Sequence, residues 1–217
     1  MATSRHVADC ERGGTIMLKR AIDLAASTTV LLVTLPFLLA AALAVRFSSP
    51  GPILFRQRRV GRNGQVFEIL KFRTMRVAQD TTNAITIGRD PRITPVGHFL
   101  RQSKIDELPQ LVNVLRGDMS LVGPRPEVPH YVALYPDDLR HKILSVRPGI
   151  TDRASIKYRH EAELLACQTD PDGYYRSVIM PDKLRLAAQY ADRVSVAEDI
   201  RVILDTLKAV FRPQPLS

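Results

Sequence analysis

Asp106 and Glu107 are adjacent carboxylates set between two arginines, Arg101 and Arg125, around the stretch Ser103–Pro126, SKIDELPQLVNVLRGDMSLVGPRP. Neighbouring acids can supply a nucleophile and its partner, ligate a metal, or cap a helix. A carboxylate at a helix N-terminus gains roughly 0.3–1 kcal/mol from the free N–H groups there, and the same groups can hold a phosphate. Spacing alone favours the capping reading. Pro109 has no N–H and is tolerated only in a first turn, which places Asp106 at the N-cap. Leu108, Leu111, Val112 and Leu115 then share an apolar face, Asn113 lies off it, and Gly117 is the C-terminal stop.

Other basic residues are placed by the pattern. Lys71 and Arg73 close a predicted strand, a position from which a side chain can point into a site, and Arg147 precedes Pro148-Gly149 after a predicted helix. On exposure grounds alone Arg101 is a solvated arginine. None of the five histidines stands at metal-ligand spacing from another, and no Walker loop, nucleophile elbow or dinucleotide fingerprint is present. Cys10 and Cys167 are too isolated for a zinc site or a disulfide framework, which fits a reducing compartment.

The elements that must position these residues follow from patterning. Residues 1–16 are polar and read as a mobile leader. From Ala21 to Val45 the chain is apolar except for Asp23, with Lys19-Arg20 before it and Arg46 after. The uncharged part would reach about 33 Å as a straight helix, enough to cross a hydrocarbon core of roughly 30 Å. Pro36 divides it into pieces of about 18 and 14 Å, neither able to cross alone. Basic residues on both flanks prefer the cytoplasmic side. This favours a re-entrant membrane helix over residues 17–47, broken near Pro36, ahead of a spanning one.

Residues 48–217 then form one cytosolic domain at the membrane surface. Ile53–Phe55 and Val66–Phe72 read as a hairpin about a Gly61–Gly64 turn, and residues 77–92 as a loop. Thr94-Pro95 opens a helix running to about Gln102. Beyond the central stretch, helices are predicted over 131–146, 161–166 and 181–193, with a strand over 151–158. The final helix carries an apolar stripe of Val196, Ile200, Ile203, Leu204, Leu207 and Phe211, assigned first to the core and second to a membrane surface. The fold class is α+β, mainly helical, with a small β-hairpin and amphipathic interfacial helices around a compact catalytic domain.

Lysine and arginine outnumber aspartate and glutamate by 31 to 22, and the formal charge of +9 calls for an anionic partner. Aromatics interleaved for base stacking are missing and there is no tryptophan, so nucleic acid is disfavoured against anionic lipid or a phosphorylated substrate. A non-enzymatic, membrane-tethered basic adaptor is the alternative from another class.

The motifs, taken in order, are Lys19-Arg20 before a proline-containing apolar segment, LKFRTM (Leu70–Met75), the central stretch, and RPGIT (Arg147–Thr151). In this order they resemble the bacterial sugar transferase family, the monotopic phosphoglycosyl transferases, over most of the chain from Met17 onward. The resemblance implies transfer of a sugar phosphate from a UDP-sugar to polyprenol (undecaprenyl) phosphate at the cytoplasmic face of the bacterial inner membrane, giving a polyprenyl diphosphate sugar and UMP. It makes Asp106 and Glu107 the catalytic dyad, with Asp106 forming an acyl-phosphate and Mg²⁺ held near it. Arg101 and Arg125 match phosphate-binding positions, with Lys71, Arg73 and Arg147 as companions. A homodimer is compatible with it, and the short leader marks the minimal form. The family's Ser-Pro break is Leu35-Pro36 here, and Asp152-Arg153 replaces the Gly-Trp that many members carry after the last motif.

Overall fold

The computed structural model places residues 2–76 and 90–211, with side chains described from Gly14 to Val210. Most of the loop expected over 77–92 lies outside these residues, as do the side chains of residues 1–13 and of Phe211.

The chain opens with α1, Ala2–Ser48. Residues 2–16 of the expected leader 1–16 fall within it, and the helix continues through Pro36 where a break was expected. A proline in a helix forfeits one ladder bond, to the carbonyl four residues before it, and the Leu, Val and Ala residues on both sides keep the remaining ladder. The segment Gly14–Ser48 is long and apolar enough to cross a membrane. Leu32, Val33, Phe37, Leu43 and Phe47 are exposed along it.

Antiparallel strands β1 (Leu54–Val60) and β2 (Val66–Phe72) follow, joined by a 3-10 turn over Arg62–Gly64 in which Asn63 takes a left-handed conformation. The predicted hairpin is present, with a longer first strand. Helix α2 (Pro95–Gln102) has the expected cap, Thr94 Oγ1 accepting from the Gly97 N–H at 2.9 Å. Helix α3 (Gln110–Arg116) ends at Gly117, whose φ of 94° suits glycine. Strand β3 (Ser120–Val122) pairs in parallel with β4 (Gly149–Thr151).

Between these strands lie α4 (Pro129–Val132) and α5 (Asp137–Leu144), where one helix was expected. Pro136 separates them, since the residue before a proline is driven out of the helical region. The strand expected over 151–158 is instead the end of β4 followed by α6 (Arg153–Lys157), because Asp152 caps that helix through the Ser155 N–H at 2.6 Å. Helices α7 (Glu161–Ala166), α8 (Pro171–Tyr174), α9 (Met180–Asp192) and α10 (Val196–Phe211) complete the described residues, a π-turn over Tyr175–Ile179 linking α8 to α9.

One core cluster gathers Tyr131, Ile143, Leu165, Tyr175, Ile179 and Leu184 from α4 to α9. Another packs Ile69 of β2 against Val114 and Met119, and a third joins Ala41 and Val45 of α1 to Phe72 and Leu100. On α10 the expected stripe is the core face only in part, with Ile203 packed against the cluster of Val122, Tyr190 and Val202. Ile200, Leu204 and Leu207 are about half exposed, whereas Asp199 and Val202 are buried. Asp199 turns inward because Lys19 and the Tyr190 hydroxyl bond its carboxylate.

Candidate active site

The acidic pair sits on a 3-10 turn, Ile105–Glu107, between α2 and α3. Lys104 makes the sharp corner with a left-handed φ of 60°. Asp106 therefore does not cap the helix: α3 begins at Gln110, and no side chain caps it. The register moves with it. Gln110, Leu111, Asn113 and Val114 face inward, and Leu115, expected on the buried face, is 37 % exposed. Asn113 accepts from the Leu70 N–H at 3.0 Å and donates to the Glu68 carbonyl at 2.8 Å, fastening α3 to β2.

The two carboxylates have different surroundings. Glu107 receives a forked salt bridge from Arg125, Nη2 to Oε1 at 2.5 Å and Nη1 to Oε2 at 3.3 Å, and Lys71 Nζ approaches Oε1 at 2.9 Å. Burial alone would push its pKa up, but Arg125 and Lys71 outweigh burial and hold it well below the usual carboxylate range. Asp106 is 8 % exposed, and its Oδ1 has no hydrogen-bond partner. Burial, followed by the Glu107 charge, raises its pKa to about 6 against the pull of Lys71, Lys104 and Arg101.

Arg125 is itself anchored. Its N–H donates to Asp152 Oδ2 at 3.1 Å and its guanidinium to the Ile150 carbonyl at 3.0 Å. Arg101, in the last turn of α2, donates to Thr74 Oγ1 at 2.9 Å. Burial lowers its pKa, while Asp106, Asp90 and Glu107 pull it back up. Arg101, Arg125 and Lys71 thus gather on the acidic pair as the sequence suggested.

Two of the expected phosphate-binding cations are elsewhere. Arg73 is 5 % exposed and donates to the carbonyls of Val45, Ser49 and Pro52, because it follows β2 at the point where the chain leaves α1. Arg147 donates to the Gly117 carbonyl at 3.1 Å, at the far end of α3 from the pair. Asp152 and Thr74, which hold Arg125 and Arg101, were not singled out as site residues. Asp152 carried one usable signal, an acid three residues before Ser155 at a helix start.

Among the described residues no group of three or more His, Cys, Asp or Glu side chains could hold a metal. A single carboxylate with a free buried oxygen still suits Mg²⁺, which keeps waters and commonly binds one or two carboxylates together with substrate phosphates. Asp106 Oδ1 is the atom that fits.

The bacterial sugar transferase family matches residues 14–213. The chain belongs to this family. Three relatives cover nearly all of it. A UDP-glucose:undecaprenyl-phosphate glucose-1-phosphate transferase of Escherichia coli K12 is 39 % identical over 198 residues, which are 88 % of this chain and 39 % of the relative. The protein of the same name from Caulobacter vibrioides is 37 % identical over 206 residues, 89 % of this chain and 69 % of the relative. The exopolysaccharide production protein PSS of Rhizobium leguminosarum is 38 % identical over 201 residues, 88 % of this chain and 94 % of the relative. The bacterial sugar transferase chain therefore spans about two fifths of the first relative and almost all of the third.

Proposed function

We propose that this bacterial sugar transferase moves a sugar-1-phosphate from a UDP-sugar to polyprenol phosphate, releasing UMP, in the first membrane step of polysaccharide assembly. The observation that carries the reading is the division of labour in the acidic pair: Glu107 is held charged by Arg125 and Lys71, and Asp106 keeps a buried, unpartnered oxygen.

In the first step an Asp106 carboxylate oxygen attacks the sugar-bearing phosphorus. The bond from that phosphorus to the bridging oxygen breaks and its electrons leave with UMP. An oxygen of polyprenol phosphate then attacks the same phosphorus, the acyl-phosphate bond breaks, and Asp106 is restored as a carboxylate. Above a pH of about 6 Asp106 is mostly ionised and no proton need move in either step. Splitting the transfer suits two bulky substrates that would otherwise have to meet in one site. Glu107 keeps the Arg125 fork and the Lys71 ammonium beside Asp106, where N–H groups not engaged by the carboxylate can meet phosphate oxygens. Mg²⁺ held by Asp106 together with the diphosphate would supply further neutralisation of phosphate charge.

The reading extends to the membrane. Both ends of the apolar part of α1 are bonded to the same domain, Lys19 and Asp23 to β3 at one end and Val45 to Arg73 at the other. A domain on the cytoplasmic face would keep both ends on that face. This supports re-entrant seating, with Pro36 as the weak point at which the helix bends in lipid. The exposed Ile200, Leu204 and Leu207 of α10 would lie in the interface, with the surplus of basic residues meeting anionic lipid.

The test is UMP release from a panel of UDP-sugars with polyprenol phosphate, together with retention of label from the sugar-bearing phosphate on denatured protein. Both are expected in the wild type and lost in Asp106→Asn. Undiminished UMP release by that variant rules out the assigned nucleophile. Salt-sensitive lipid or nucleic-acid binding with no turnover would instead indicate an adaptor.

A further inference from the structure

Lys19 and Asp23 stand one turn apart on the membrane helix, and neither is directed to lipid or water. Asp23 is 4 % exposed; its Oδ2 accepts from Ser120 Oγ at 2.7 Å and its Oδ1 from the Leu121 N–H at 3.2 Å. Lys19 Nζ donates to the Val122 carbonyl at 3.0 Å and to Asp199 Oδ2 at 2.5 Å. The Tyr190 hydroxyl lies 3.0 Å from the same carbonyl and 2.7 Å from Asp199 Oδ1. All three residues of β3 are therefore gripped by two side chains of α1. A charge pair and a buried carboxylate are costly in a helix contact that apolar residues could make alone, so they need a reason beyond adhesion.

The reason lies one residue further along. Val122 leads directly into Gly123-Pro124-Arg125, and this turn has no slack. A Cβ on Gly123 would come within 2.4 Å of the Arg147 carbonyl oxygen, and one on Gly149 within 2.1 Å of the Gly123 nitrogen. With backbone packed on backbone, a displacement of β3 is passed to Arg125 rather than absorbed. Arg125 is the residue that forks onto Glu107.

We propose that Lys19 and Asp23 are positioning residues for the Arg125–Glu107 clamp, so that the site is set correctly only when the membrane helix is seated against β3. The proposal rests on the transferase reading for its catalytic consequence, but the mechanical link can be read without turnover. Two variants break the link, Asp23→Leu and the charge-neutral Lys19→Met/Asp199→Asn. Asp23→Asn keeps an acceptor for the Leu121 N–H and an amide that can donate to Ser120 Oγ, and serves as the conservative rescue. Arg20→Gln is the control: Arg20 also ties α1 to the domain, but through the Val114 and Leu115 carbonyls of α3.

Hydrogen–deuterium exchange of the peptide covering residues 118–127, measured on the full chain in detergent or nanodiscs, is expected to speed up about tenfold in the two breaking variants and to recover in Asp23→Asn. In the same variants kcat for UMP release should fall about tenfold, and Asp23→Asn should restore it. Arg20→Gln should lower the melting temperature without either change. Unchanged exchange at 118–127 in Asp23→Leu overturns the proposal, as does faster exchange with unaltered kcat. Activity losses that simply follow the melting temperature in all four variants assign the contacts to stability alone and also overturn it. A wild type that turns over no UDP-sugar refutes the transferase reading instead, and the exchange result then stands by itself.

Discussion

Arg125 forks onto Glu107 through both of its terminal nitrogens, and Asp106, the residue just before Glu107 in the chain, receives neither of them. One carboxylate of the pair is thereby tied down as a counter-ion while the other is left buried and free. The consequences are measurable.

Arg125→Lys keeps the charge but loses the fork, the fixed plane and the bond to the Ile150 carbonyl. A loss of about 10²–10³-fold in kcat/KM for the UDP-sugar is expected, the size seen when one donor aimed at developing charge is removed. Steady-state UMP release measures it.

The acidic limb of the pH profile should report Asp106. Its pKa of about 6 implies that kcat/KM falls as pH drops through that value. Lys71 favours the charged form of Asp106, so Lys71→Met should move the limb to higher pH, a direction opposite to that expected of a variant that merely lowers activity.

Asp106→Asn should be inactive yet more stable near neutral pH. With a folded pKa raised from 3.8 to about 6, the stability that protonated Asp106 contributes is full below about pH 4 and lost as pH rises through 6. Removing the charge recovers up to about 3 kcal/mol above pH 7, and the gain disappears below about pH 4. Thermal melts of both proteins at pH 4 and pH 8 provide the check.

Arg73→Gln should lower stability by about 2–4 kcal/mol, because a buried cation that satisfies three carbonyls is exchanged for a shorter neutral side chain. The KM for the UDP-sugar should stay at the wild-type value, where loss of a phosphate ligand would raise it. Chemical denaturation and initial rates together distinguish these outcomes.

Much of this arrangement was legible in local chemistry. Thr94-Pro95 announced α2, the Gly61–Gly64 turn announced the hairpin, and Gly117 closed α3, because each depends on residues within one turn. The acidic pair between Arg101 and Arg125 was equally visible. The start of α3 was misjudged because Pro109 is tolerated both as an N-cap and inside a first turn, and the corner that decides between them is a left-handed Lys104, which no propensity indicates. Asn113 was assigned off the buried face because a polar side chain scores as solvent-facing until its partners, a strand N–H and carbonyl more than forty residues away, are known. Arg73 and Arg147 were placed with the phosphates on charge and proximity in sequence. Their distances from the pair are set by how β2 meets α1 and how β4 meets α3, which is tertiary information. Asp199 was likewise invisible, since its inward turn depends on Lys19 at the other end of the chain.

The carbonyls of Val45, Ser49 and Pro52 all wait on the guanidinium of Arg73. On the ribosome these three residues emerge well before residue 73 does. The bend that brings the chain off α1 can therefore be locked only after the hairpin has been made, and the hairpin's last strand is in turn held by α3. Although domains generally fold from the N-terminus during synthesis, α1 here finishes docking late, and truncations ending between residues 52 and 73 should leave it unlatched, open to proteolysis at Ser49–Pro52.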